Sequence, residues 1–86
     1  MRLKGEIRAY GQPEVRGCVI SSLTRDGKRA FQSMPIEAKF DVKLAIGAGS
    51  IAVFRIECEL PKGSYETVRA ATDDDDLGVV FIRDRS

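Results

Sequence analysis

The chemistry open to this chain starts at Thr24-Arg25-Asp26-Gly27-Lys28-Arg29, where three cationic side chains surround an Asp-Gly pair. Cations in such a cluster bind phosphate oxygens, and Phe31, just beyond, supplies a flat ring on which a base can stack. Arg16 lies on the segment leading into the same turn, and an arginine can also stack through its planar guanidinium. Tyr10 and Tyr65 add two further rings. Arg16, Arg25, Lys28, Arg29, Phe31, Tyr10 and Tyr65 are therefore the candidate nucleic-acid contacts. The plainer reading is an ordinary solvated hairpin tip, because six aromatic residues in the whole chain are a thin supply of stacking platforms.

The second charged feature is the run Asp73-Asp74-Asp75-Asp76. Calcium takes oxygen ligands, but the run lacks the spaced D-x-D-x-D-G pattern that makes carboxylates converge. It reads first as a solvated, self-repelling loop, and next as a candidate interface for a protein partner with a basic surface. Glu57 and Glu59 sit two apart on one strand face, a spacing open to acid–base work, yet Lys39 is expected opposite Glu57 and a charged solvent face explains both. The chain has no histidine, so neither a Ser-His nor a Cys-His pair can form. No Cys-x-x-Cys spacing and no glycine-rich phosphate loop occur either. The expectation is a binding protein, not an enzyme, with no metal and no cofactor.

Eighty-six residues make one domain, 1–86, near the lower limit of what buries its own core. Domains of this size are often helped by oligomerisation, so a homodimer is expected. The apolar share of 43% suits a globular chain, and no apolar stretch approaches the roughly 20 residues that cross a bilayer. Glu6 and Arg8 close behind Met1 do not suit a signal peptide. A cytoplasmic location is expected, and with it reduced thiols at Cys18 and Cys58. The net charge of +1 hides a division: residues 1–72 carry 12 basic and 8 acidic side chains, whereas 73–86 carry 2 and 5.

The elements that must hold these residues are strands. From Ile36 to Ile46 apolar and polar residues alternate, and the alternation resumes from Ala52 to Leu60, the period-two mark of half-buried strands. A three-residue loop, Gly47-Ala48-Gly49, would join them as a hairpin, setting Val42 opposite Phe54, Phe40 opposite Ile56, and Asp41 opposite Arg55. Asp26-Gly27 predicts a two-residue type I′ turn pairing Leu23 with Ala30 and Val19 with Met34. Pro35 cannot donate to a ladder, so an edge, bulge or break belongs there. A weaker strand covers 2–10, separated from the next by Gly11-Gln12-Pro13-Glu14. Pro61-Lys62-Gly63-Ser64 forms a turn, Tyr65–Ala70 a strand, and the aspartate run a loop. Residues 77–83 are apolar on both faces and predict a strand covered on both sides. The fold class is all-β: a small antiparallel barrel of five or six strands, OB-like or alternatively SH3-like.

This order of parts resembles the single-stranded-DNA-binding proteins of filamentous phages. Gly27-Lys28-Arg29-Ala30-Phe31-Gln32 is similar to the G-K/N-x-aromatic stretch of that family's projecting basic hairpin, with the aromatic one place later. Leu60-Pro61-Lys62-Gly63-Ser64-Tyr65-Glu66-Thr67-Val68 is similar to its proline-glycine-Ser/Leu-Tyr turn. The resemblance implies a non-catalytic, dimeric protein that coats single-stranded DNA, with residues 70–78 in the place of the dimer hairpin. The rival reading is a small phage- or plasmid-encoded β-domain, an inhibitor or virion component, that binds protein. Its interface would be Asp73–Asp76 or the outer face of strands 37–43 and 51–59.

Overall fold

A computed structural model describes residues 1–11, 14–46 and 49–84. Two parts of the expected turns, Gln12-Pro13 and Gly47-Ala48, lie outside the described residues. Among the described residues eight strands follow one another: β1 (Arg2–Arg8), β2 (Cys18–Leu23), β3 (Ala30–Ile36), β4 (Lys39–Lys43), β5 (Ile51–Cys58), β6 (Gly63–Ala70), β7 (Asp74–Phe81) and β8 (Arg83–Asp84). They form two sheets, β4-β1-β7 and β3-β2-β5-β6-β8, neither closed into a barrel. The all-β class holds, while the strand count exceeds the five or six expected.

Alternation places the core. In the small sheet Leu3, Ile7, Phe40 and Val80 point to one side; in the large one Cys18, Ile20, Phe54, Ile56 and Cys58 do, and the two sets pack into one cluster. Leu3, Ile7, Ile20, Phe54 and Ile56 are completely enclosed, each a transfer gain of about 1.5–3 kcal/mol. Both sheets must therefore dock for either to hide its apolar face.

Several expected pairings are corrected. β4 does not form a hairpin with β5: it pairs antiparallel with β1, Leu3 against Val42 and Lys4 against Asp41. β5 lies instead between β2 and β6, so Arg55 stands against Ser21 and Glu66, not Asp41. Alternation fixes which face a residue occupies but not which strand lies beside it, and the edge of β1 offered β4 a matching apolar row. β1 and β7 run parallel, so the sheets are not purely antiparallel. The aspartate run is not a loop, since β7 begins at Asp74. Nor is the last apolar run covered on both sides: Val80 and Ile82 are buried while Val79 and Phe81 face outward.

The cysteines are also corrected. Cys18 and Cys58 form a disulfide, and no free cysteine occurs among the described residues. The register that sets Val19 against Glu57 brings Cys18 directly opposite Cys58, with Cα atoms 4.0 Å apart. Directly opposed residues are the closest neighbours across an antiparallel pair, their Cα atoms about 4.5 Å apart where the pair is not hydrogen-bonded.

Candidate functional site

The β2–β3 connection is a four-residue loop, not the two-residue turn. Thr24 N donates to Arg29 O at 2.7 Å and Gly27 N to Thr24 O at 2.8 Å. Gly27 has φ +74°, whereas Asp26 stays at negative φ, which excludes type I′. What replaces the second left-handed residue is side-chain chemistry. The Asp26 carboxylate accepts from the Thr24 hydroxyl and, at 2.9 Å, from Lys28 N, and these bonds hold its pKa below the usual carboxylate value, the hydroxyl contributing most. The one acid of the turn is thus engaged by the loop's own donors, and Arg25, Lys28 and Arg29 are exposed like it.

The loop is tied down. Arg55, on the outer face of β5, donates to Gly27 O at 3.2 Å and to Glu66 Oε2 at 3.0 Å. Leu23 and Val53, on that same outer face, are buried although they lie outside the main core cluster. The basic tip therefore bends over the end of the large sheet and does not project freely into solvent.

Register explains Phe31. Leu23 pairs with Ala30, but Ser22 pairs with Gln32, so Phe31 is an extra residue in β3. A bulge re-aims its side chain, and Phe31, two residues beyond Arg29, is 77% exposed. It borders a cavity of about 500 Å³ together with Leu23, Gln32, Ile46, Ile51 and Val53. The bulge shifts every later pair, so Val19 meets Pro35 in place of Met34. Pro35 lies on β3, an edge strand, as its missing N–H requires.

The seven candidate residues do not form one site. Arg25, Lys28 and Arg29 share the β2–β3 connection, and Phe31 lies at the start of β3 that follows it. Arg16 lies beyond the opposite end of β2, bridged to Leu60. Its guanidinium is 2.8 Å from Glu14, whose carboxylate pKa this pairing lowers, by hydrogen bonding before charge. Tyr10 and Tyr65 lie at that far end too, bordering a groove with Phe81, Lys62 and Arg83. The latter three are functional candidates that the sequence reading missed; only the outward parity of Val79 and Phe81 could have exposed the third ring.

The aspartate run faces cations of its own chain. Asp74 stands beside Arg2 and Asp76 beside Lys4 across the parallel pair. Asp75 forms an ion pair with Arg69, and Asp76 Oδ1 accepts from Gly78 N at 2.7 Å. Among the described residues no three His, Cys, Asp or Glu side chains converge to hold a metal ion, and no helix is long and apolar enough to cross a membrane. Comparison with protein-family models, with curated proteins and with solved structures finds no match.

Proposed function

We propose that the chain is a non-catalytic binder of single-stranded DNA whose primary contact is the 24–31 hairpin, with Arg25, Lys28 and Arg29 on phosphates and Phe31 stacked on a base. One observation carries this reading. Arg2, Arg8, Arg16, Arg55 and Arg69 each hold a carboxylate of the chain, whereas among the described residues no ion pair engages the three tip cations. Exposed cations that no ion pair engages, followed closely in the chain by an exposed ring, are what a phosphate-and-base ligand needs. Arg16 drops out of the contact set, being paired with Glu14 at the other end of the sheet. A homodimer belongs to the reading on grounds of size, and sizing in solution with and without oligo(dT) tests it.

The protein-binding alternative gains no comparable support, because Asp75 is already engaged with Arg69. The setting, however, shifts. Disulfides persist in oxidising compartments and are rare in cytosol, so a bond between Cys18 and Cys58 favours an oxidising location over the cytoplasm.

Fluorescence anisotropy of labelled oligo(dT), titrated at several salt concentrations, tests the function. The chain should bind at low salt, and replacing Arg25, Lys28 and Arg29 together by Ala should make the log–log salt slope shallower by about 2, at roughly 0.7 per phosphate contact. Phe31→Ala should weaken binding by about 1–3 kcal/mol. No binding at low salt, or a triple variant indistinguishable from the parent, overturns the proposal.

A further inference from the structure

The far end of the molecule carries a second cluster of rings and cations, built from both sheets. Because β1 and β7 run parallel, with Arg8 opposite Phe81, their chains leave the small sheet at the same end. This brings Tyr10 onto Phe81 in a parallel stack, ring centroids 4.6 Å apart and planes 12° apart. Tyr10 nevertheless remains 81% exposed: Phe81 covers one face of its ring and solvent reaches the other. From the large sheet, the β5–β6 turn brings Pro61 and Lys62, β6 brings Tyr65, and β8 brings Arg83. Together they enclose a groove of about 660 Å³, within the size range of small-ligand sites.

Two properties select an occupant. An open face on an existing two-ring stack accepts a third planar ring, and offset stacking of this kind is favourable beyond area burial. Lys62 and Arg83 are exposed, and among the described residues neither holds an ion pair and no carboxylate borders the groove. The site thus suits a planar aromatic group that carries negative charge nearby.

We infer that this groove is a second strand contact, in which one base of a bound single-stranded DNA stacks on the free face of Tyr10 and its flanking phosphates meet Lys62 and Arg83. The inference rests on the proposed function and extends it to a different end of the fold. The tip lies beyond Leu23 and Val53, whereas the groove lies beyond Cys58 and Gly63. Five residue steps along the strand separate these rows, about 17 Å at 3.3 Å per residue. A strand engaging both ends would be held at two points, and tethering raises the effective concentration of the second contact once the first has formed.

The chain carries its own reporter. It has two tyrosines and no tryptophan, and both tyrosines border this groove, so intrinsic tyrosine emission reads the groove and not the tip. Oligo(dT) of about 16 nucleotides, the upper end of what one small β domain covers, is titrated while anisotropy and tyrosine emission are followed together. Anisotropy should rise and emission should fall with the same midpoint. Tyr10→Ala should weaken binding by about 5- to 150-fold, and Lys62→Ala with Arg83→Ala should make the salt slope shallower by about 1.4. All three residues are exposed, so the variants should keep the fold, which circular dichroism verifies. Anisotropy that rises without quenching, with parental affinity in both groove variants, overturns the groove and leaves the tip standing. Parental anisotropy in the tip triple variant with quenching retained overturns the tip and leaves the groove. No anisotropy change in the parent overturns both.

Discussion

Asp26 sits among three cations, yet its carboxylate is directed at Thr24 and Lys28 N, not at any of them. Its charged form is favoured chiefly by the Thr24 hydroxyl, that of Asp41 by the Arg2 guanidinium at 2.6–2.7 Å, and that of Glu14 by Arg16. All three carboxyls therefore titrate lower in the folded chain than in the unfolded one. A lowered folded pKa adds stability that is fully present above the unfolded values of 3.8 and 4.5 and is lost as pH falls through the folded values. The thermal midpoint followed by circular dichroism should be level from pH 8 to about 5 and should decline below about pH 4. A midpoint unchanged down to pH 2.5 would remove these carboxylates from the stability of the fold. At this scale the sequence was partly readable. Arg25, Lys28 and Arg29 flank a turn-forming pair, which forces them to the surface. Phe81 was hidden because Leu77-Gly78-Val79-Val80-Phe81-Ile82 is apolar throughout, and composition does not mark which alternate set stays uncovered.

Strands were easier to find than their partners. The β2–β3 hairpin is local, and Asp26-Gly27 marked its position although not its length, because Thr24 and Asp26 side chains supply bonds that no turn propensity encodes. The pairing of β4 with β1 spans most of the first half of the chain, and parity arithmetic is satisfied by any partner whose apolar row matches. Asp41 accordingly found Arg2, and Arg55 found Glu66, both opposite charges on an outer face but each with a different mate from the one expected. Close approach between elements was equally unreadable. At Gly63 a Cβ would run into Ile82 Cγ2 and stand 2.5 Å from Arg83 O, so β8 rests directly on the glycine surface of β6. Backbone at that distance cannot swing aside as a flexible side chain can. Gly63→Ala should lower the unfolding free energy in urea by about 1–3 kcal/mol, the usual cost of overpacking. It should also displace Arg83 and reduce the tyrosine quenching expected at the groove. Parental stability would mean that β8 is not seated on β6.

At the scale of the whole molecule, two open sheets of a chain of only 86 residues share one core, and the disulfide joins the start of β2 to the end of β5 across a separation of 40 residues. Nothing in that spacing announced the bond: two cysteines so far apart become neighbours only once β2 and β5 are known to pair. Composition pointed instead to free thiols. The consequence for stability follows from chain statistics. Closing a loop of about 40 residues removes conformational freedom from the unfolded chain worth roughly 4 kcal/mol, set against a total of about 5–15 kcal/mol for a typical domain. The bonds within β2–β5 already hold the two cysteines together in the folded state, so the effect falls mainly on the unfolded ensemble. Urea unfolding with and without a thiol reductant should therefore differ by about 3–4 kcal/mol. Thiol titration of the denatured, unreduced chain should find no reactive cysteine. Coincident unfolding curves together with two reactive thiols would restore the reduced state expected from composition.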